Sequence, residues 1–243
     1  MEYPKIHSLW KRAEGHNFII GDYSCPEFAT QTKWRVQEKI DGTNIRIVIQ
    51  RFADPQLDVL YTTLKQGNKI SNQICDICLL GKTGNAQIPK GIIDWFQEKH
   101  FEITLLQNSI FPIGTTILFG EGFGPKIQSG GIYRKDISFI LFDVYMCGRW
   151  STREEVDEIA KLLGLESPCD LGLMKEEEIV AFVCSKPKGF YGDKNYTIEG
   201  IVARSEPLVR FNNNQANPVM WKLKVKDFNP STPNGFVGLR RAR

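Results

Sequence analysis

Residues 219–226 constrain the fold most strongly, because apolar residues and lysines alternate along them. A β-strand turns successive side chains to opposite faces. One face of this strand would be apolar and the other cationic, with Val219, Trp221, Leu223 and Val225 on the first and Lys222, Lys224 and Lys226 on the second. Two explanations fit this pattern. The lysines either protect an edge strand against aggregation or form a positively charged wall for a polyphosphate.

A second strand is predicted over 34–38, and Lys39 follows it, beside the turn residues Asp41 and Gly42. A lysine at the end of a strand can face a cleft, where its unprotonated amine could act as a nucleophile. The alternative is a surface lysine that precedes an Asp-Gly hairpin turn, which is a common arrangement.

Two carboxylates and one aromatic ring occupy comparable positions. Glu121 is predicted in a glycine-rich turn after the apolar strand 115–120, and Glu199 in a strand that contains Gly200. A glycine inside a strand often marks a bulge or the close approach of a ligand. A carboxylate there could hold a ribose hydroxyl or a divalent metal. Phe142 lies in the apolar strand 137–145, where an aromatic ring could provide a face for a base to stack on.

The order of these motifs resembles that of the covalent nucleotidyltransferase superfamily, which contains polynucleotide ligases and mRNA capping enzymes. The five motifs are Lys39-Ile40-Asp41-Gly42, Phe119-Gly120-Glu121, Phe142-Asp143, Glu199-Gly200-Ile201-Val202 and Lys222-Leu223-Lys224. The chain is most similar to the RNA ligase 2-like branch, over residues 38–228. Asn44, at a position where DNA ligases usually carry arginine, and the extension Gly124-Pro125 with Gln128 favour this branch.

The resemblance implies an ATP-dependent RNA ligase. Lys39 would attack the α-phosphate of ATP to give a lysyl-AMP, the adenylyl group would pass to an RNA 5′-phosphate, and a 3′-hydroxyl would then displace AMP. The catalytic residue is Lys39, and the implied nucleotide-binding residues are Glu38, Ile40, Asn44, Lys82, Glu121, Phe142, Glu199, Lys222 and Lys224. Glu199 would also be the ligand of Mg²⁺ or Mn²⁺. Two other functions remain open: a stand-alone adenylyltransferase with another acceptor, and a catalytically silent RNA-binding module.

The sequence departs from the family pattern at two places. Lys82 stands where the family commonly has arginine; it can still meet a phosphate as a point charge, without the bidentate fork. After the lysine motif we expect no counterpart of the oligonucleotide-binding barrel of capping enzymes and DNA ligases, or of the helical domain of many RNA ligases. We therefore expect an adenylyltransferase domain over 1–229 and a basic tail over 230–243.

Composition agrees with these expectations. The 243 residues are 42% hydrophobic with a net charge of +3, enough for one large core and compatible with a polyanionic partner. RNA ends and ATP are the expected partners of a monomeric, cytoplasmic protein without a signal peptide or membrane span.

Cys75 and Cys78 form the only close pair among six cysteines. Without a second pair or a nearby histidine, reduced thiols are favoured over a zinc site.

The fold class predicted from these patterns is α+β: a ligase adenylation domain with antiparallel sheets, helices outside them and a nucleotide cleft between. Strands are predicted over 34–38, 44–51, 58–64, 115–120, 137–145, 198–204 and 219–225. Helices are predicted over 92–99, over 176–184, and from a capping box of Ser151 and Glu154 to Gly164.

Overall fold

The computed structural model describes residues 1–12, 18–51, 69–71, 75–99, 110–192, 194–212 and 217–228. They belong to two units, which we name after their larger sheets. The six-stranded unit comprises Met1–Tyr3 and Asp41–Ser167, and the five-stranded unit comprises Pro4–Ile40 and Pro168–Arg243. The strand predicted over 58–64 and the tail over 230–243 lie outside the described residues.

The elements follow one another in a mixed order that confirms the α+β class. The strands are β1 His7–Ser8, β2 Trp10–Arg12, β3 Phe18–Tyr23, β4 Trp34–Lys39, β5 Thr43–Arg51, β6 Lys69–Ser71, β7 Cys75–Gly81, β8 Gly114–Phe123, β9 Ser138–Met146, β10 Arg149–Trp150, β11 Asp170–Met174, β12 Gly200–Ser205 and β13 Met220–Lys224. The helices are α1 Lys90–Glu98, α2 Arg153–Leu162 and α3 Glu176–Cys184, with short 3-10 helices at Pro26–Thr30, Gly130–Ile132 and Val225–Asp227. None of the helices that the structure describes is long and apolar enough to cross a bilayer.

The lysine-bearing strand β13 lies inside the five-stranded sheet, whose order is β1-β13-β12-β4-β11. It pairs in parallel with β1 and antiparallel with β12. Edge protection is therefore the wrong explanation for its lysines, and the β1 pair departs from the expected antiparallel arrangement. The other two pairs in this sheet, β12 with β4 and β11 with β4, are antiparallel.

The alternation predicted for β13 is confirmed as far as Lys224. Trp221 and Leu223 are fully buried, whereas Lys222 and Lys224 are half-buried on the other face. The chain then leaves the strand, because the Asp227 carboxylate accepts a hydrogen bond from the Lys224 backbone N–H at 3.0 Å and starts the turn Val225–Asp227. Lys226 was predicted on the same strand; it lies in this turn instead.

The six-stranded sheet has the order β10-β9-β8-β5-β7-β6, and every pair is antiparallel. One face carries the main apolar core of the unit, to which α1 and α2 contribute. Its fully buried members include Ile45, Ile47, Ile92, Leu118, Leu141, Val144 and Val156. On β5 and β8, the residues that alternate with these core residues point to the opposite face of the sheet, and Asn44 and Glu121 are among them.

Strand β8 continues past its predicted end, so Glu121 lies within the strand and not in a turn. The glycines on either side explain the difference. A Cβ at Gly120 would collide with the Phe139 ring, and one at Gly122 would lie 2.6 Å from Ile92 Cδ1. These glycines allow neighbouring groups to pack closely against the strand, whereas in the sequence they resemble a turn.

Helix α2 begins one residue later than predicted. Thr152 is the N-cap and forms the capping box with Glu155. Ser151 cannot serve as the cap in this way, because its backbone N–H donates to Val144 O at 2.9 Å and keeps it beside β9. The predicted end at Gly164 is confirmed by its positive φ of 65°. Helix α3 spans the predicted residues, and α1 begins two residues before its predicted start.

Glu38 is a buried carboxyl group in the five-stranded unit, only 2% exposed. It accepts hydrogen bonds from the Tyr196 hydroxyl at 2.9 Å and the Phe190 backbone N–H at 3.2 Å. Burial raises the pKa of Glu38 to about 7, although both hydrogen bonds oppose the rise.

We predict that this carboxyl group makes the protein less stable as the pH rises from about 5 to about 8. The folded state binds the Glu38 proton more tightly than the unfolded state does, so its contribution is complete at low pH and is lost as the pH passes the folded-state pKa of about 7. The loss is on the order of 3 kcal/mol. Urea denaturation between pH 5 and pH 8 should show a smaller decline for Glu38→Gln than for the wild type. Glu206→Gln, at an exposed position of the same unit, should retain the wild-type decline; equal profiles for all three proteins would refute the prediction.

Candidate active site

Lys39 is the last residue of β4, and its side chain is held by two oxygen atoms. Its Nζ lies 2.6 Å from Glu199 Oε2 and 3.2 Å from the carbonyl oxygen of Ile40. The Lys39 and Glu199 side chains are 21% and 13% exposed, so both remain accessible from solvent. The two residues predicted as nucleophile and metal ligand are therefore in direct contact.

Glu199 also binds the second lysine of the motif on β13. Its Oε1 forms an ion pair with Lys224 Nζ, while Oε2 holds Lys39. The strand pairing explains how this arises, because Gly200 lies opposite Lys39 on one side and opposite Lys224 on the other. One carboxylate thus lies between two ammonium groups that are brought in by different strands.

Gly200 has no room for a side chain. A Cβ at this position would collide with the carbonyl oxygen of Leu223 and lie 2.7 Å from Lys224 Cα. The glycine predicted to mark a close approach does so, but the group that approaches is the neighbouring strand β13. Glycine at this position lets β13 pack tightly enough for Lys224 to reach Glu199.

We use the name lysine face for the side of the five-stranded sheet that carries Lys39, Lys222 and Lys224. Lys222 lies opposite Val202, two residue pairs along the strands from Gly200 and Lys224. Glu38 points to the opposite, buried side of β4, so the structure does not bring its side chain together with Lys39. A nucleotide contact by Glu38 would have to come from its main chain. Ile40 is 5% exposed, and it contributes its carbonyl oxygen to Lys39.

In the six-stranded unit, Asn44 and Glu121 lie directly opposite each other on β5 and β8. Gly42 makes this possible, because a Cβ there would collide with the Gly122 carbonyl oxygen and lie 3.0 Å from Glu121 Cγ. Asn44 Oδ1 is buried and has no hydrogen-bond partner within the described ranges. A buried acceptor without a partner suits a site that receives a donor from a ligand.

Phe142 is the extra residue of a β-bulge, since Phe119 pairs with Asp143 whereas Gly120 pairs with Leu141. Its ring is half-buried and meets the ring of Tyr3 at a centroid distance of 4.9 Å and an angle of 71°. The Tyr3 hydroxyl donates to Asp143 Oδ2 at 3.1 Å. The sequence predicts no role for Tyr3, because no motif before Lys39 indicates this long-range contact.

Lys82 is exposed in the turn that follows β7. The preceding residue, Gly81, pairs with Ile45, and the nearby Gly84 backbone N–H donates to Glu2 Oε1 at 3.2 Å. The phosphate contact of Lys82 stays a prediction.

The available donors fit a hard divalent cation that is shared with a substrate. Among the described residues, no group of three or more His, Cys, Asp or Glu side chains could hold a metal ion. Mg²⁺ commonly uses one or two carboxylates together with substrate phosphates, and Glu199 is such a carboxylate. Cys75 and Cys78 are three residues apart on β7 and therefore point to opposite faces, which disfavours a shared zinc ion; all six cysteines are free thiols.

The family model for RNA ligases matches residues 32–224, which include Lys39, Glu121, Glu199 and Lys224. The chain belongs to the RNA ligase family. A comparison with curated protein sequences gives no match.

Solved structures of an RNA ligase from Naegleria gruberi share the fold. An apo point mutant is 16% identical with a TM-score of 0.52, over 92% of this chain and 57% of the other. A point mutant with ATP and Mn is 16% identical with a TM-score of 0.53, over the same shares of the two chains. The form with PPi is 16% identical with a TM-score of 0.53, over 91% of this chain and 61% of the other. The present chain thus spans about three fifths of the length of these relatives.

We predict that Gly200→Ala destabilises the protein by about 1–3 kcal/mol, because the new methyl group would overlap the backbone of β13. Gly84→Ala is the matched control, since no atom lies within 4 Å of a Cβ at that position. The free energy of unfolding from urea titration measures both effects. Equal values for the two variants would contradict the close packing at Gly200.

Proposed function

We propose that this protein is an ATP-dependent RNA ligase that joins RNA 3′-hydroxyl and 5′-phosphate ends through a covalent Lys39–AMP intermediate. The observation that carries the proposal is the ion-paired cluster in which Glu199, immediately before β12, binds both Lys39 and Lys224 of the lysine face. Family membership and the fold shared with an RNA ligase that has been studied with ATP and Mn support it.

The chemistry starts with Lys39 Nζ as the nucleophile. An amine attacks only when it is unprotonated, so Lys39 has to release a proton before the reaction, to Glu199 or to water, and its ion pair with Glu199 is then lost. The Nζ–phosphorus bond then forms at the α-phosphate of ATP while the bond to the β-phosphate oxygen breaks, and pyrophosphate leaves. Mg²⁺ or Mn²⁺, held by Glu199, would neutralise part of the negative charge on the phosphates.

The remaining residues would position the substrate. Lys222 and Lys224 would hold the phosphates, because phosphoryl transfer depends mainly on alignment and on neutralised charge. For the nucleoside we propose Glu121 at the ribose, Phe142 against adenine and Asn44 near the sugar. Glu38 and Ile40 would contribute through their main chain, and Lys82 through its charge.

The second and third steps would act on RNA. An oxygen of the RNA 5′-phosphate would attack the same phosphorus while the bond to Lys39 Nζ breaks, and this gives an adenylylated RNA end. The RNA 3′-hydroxyl would then attack the 5′-phosphate and release AMP. Such a protein would act as a monomer in RNA repair in the cytoplasm.

We predict that incubation with ATP labelled on the α-phosphate gives an acid-labile covalent adduct, which Lys39→Ala abolishes. Lys33→Ala, at an exposed position of the same unit, should leave the adduct unchanged. Absence of an adduct in the wild type would refute the ligase proposal and favour a silent RNA-binding module. An adduct without sealing of nicked or broken RNA would indicate a stand-alone adenylyltransferase.

We also predict that Lys222→Ala and Lys224→Ala each slow adduct formation by about 10²-fold, since each removes a charge that faces the phosphates. Lys226→Ala should change the rate little, because Lys226 is exposed in the turn Val225–Asp227 and not on the lysine face. Single-turnover adduct formation measures the three rates. Similar, small effects from all three substitutions would contradict the assigned phosphate contacts.

A further inference from the structure

Gln37 lies on the lysine face, two residues before Lys39 on β4. It is opposite Val202, and Lys222 lies opposite Val202 on the other side. Gln37, Val202 and Lys222 therefore form a second row across three strands, parallel to the row of Lys39, Gly200 and Lys224. Two residues of a strand separate the rows by about 7 Å.

The amide of Gln37 contains a buried donor. Its Nε2 is inaccessible to solvent and has no hydrogen-bond partner among the residues that the structure describes. Leaving such a donor unsatisfied is unfavourable, so its presence in a folded protein calls for an explanation. A ligand acceptor would satisfy it.

The surroundings of Gln37 favour an anionic acceptor. Lys222 brings a positive charge to the same row. The carboxylate closest in the strand pairing belongs to Asp170, which lies opposite Gln37. That carboxylate is already bound, by the Arg35 guanidinium at 2.6 Å and by the Gly172 backbone N–H at 2.9 Å. A neutral amide donor beside an ammonium group suits a phosphate oxygen.

We infer that Gln37 and Lys222 form a second phosphate subsite beside the nucleophile. This inference rests on the proposed function and deepens it. In adduct formation, the group that departs from the α-phosphorus is pyrophosphate. In adenylyl transfer, the group that attacks the same phosphorus is the RNA 5′-phosphate. Both groups lie opposite Lys39 Nζ, in line with the Nζ–phosphorus bond, so one subsite can bind either of them. Gln37 is a binding residue for the phosphate in this subsite.

The test uses Gln37→Met, which keeps the length of the side chain and removes the donor, and Gln37→Glu, which adds a negative charge. Calorimetry with magnesium pyrophosphate, and separately with AMP, measures binding to the full-length protein. The Met variant should bind pyrophosphate about tenfold more weakly, as expected for a hydrogen bond to a charged group, and the Glu variant more weakly still. Both should bind AMP like the wild type, because AMP has no second phosphate.

A second measurement separates the two sources of phosphate. Transfer of the adenylyl group from the preformed Lys39 adduct to a 5′-phosphorylated RNA is compared between wild type and variants. Slower transfer with unchanged pyrophosphate binding assigns the subsite to the RNA end. Weaker pyrophosphate binding with unchanged transfer assigns it to the leaving group, and both effects together assign it to both.

Gln31→Met is the control, since its Nε2 already donates to Thr30 Oγ1 at 3.0 Å. It should match the wild type in every measurement. The inference is overturned if Gln37→Met leaves pyrophosphate binding and transfer unchanged, or if binding of AMP falls as much as binding of pyrophosphate. Failure of the proposed function has a different signature: the wild type forms no adduct, while the calorimetric comparison of pyrophosphate with AMP still tests the subsite.

Discussion

The double ion pair of Glu199 is the interaction on which the candidate site depends. It holds Lys39 through one carboxylate oxygen and Lys224 through the other. In the strand pairing, the two lysines lie on strands either side of β12, a backbone separation of about 9–10 Å. Without the carboxylate, their like charges would repel across the same face. The three side chains are largely buried, so the cost of removing their charges from water offsets much of the attraction, and the pairs are weak evidence for net stability. Their consequence is positional: each lysine is directed to the same point on the sheet.

Close packing at a glycine positions candidate site residues within each of the two units. Gly200 allows β13 to approach β12, and Gly42 allows the chain after Lys39 to pack against β8 beside Glu121. In each case the nearest atom is a backbone carbonyl oxygen, which cannot move aside as a flexible side chain could. The glycines of the motifs are thus explained by steric contact within the protein. Gln37 Nε2 and Asn44 Oδ1, in contrast, have no hydrogen-bond partner among the described residues, and a ligand could supply one to each.

Local patterns predicted the elements that have strong periodicity. The alternation around Trp221 and Leu223, the apolar run of β9 and the apolar stripe of α2 all correspond to observed elements. Strand β11 was missed because its residues, Asp170–Met174, include Gly172 with a positive φ of 83° and the exposed Leu173. Its pairing with β4 provides hydrogen bonds that no local pattern reveals. The capping box at Thr152 was misplaced by one residue for a similar reason: the Ser151 backbone N–H donates to Val144 O on β9 and is therefore not available to a capping box.

The sequence by itself determined the α+β class and the membership in the RNA ligase family, and it indicated Lys39, Glu199 and Lys224 as candidate site residues, because motif order and strand periodicity are properties of the linear chain. The tertiary structure decided which of the predicted side chains meet. Strand register sets Lys39 and Lys224 on the two sides of Gly200 and turns Glu38 to the buried face. The tertiary structure also showed that Tyr3 packs against Phe142, and that Gln37 lies in the same cross-strand row as Lys222. These contacts join residues that are far apart in the chain, so they depend on strand pairing, which the sequence encodes only through the complete fold.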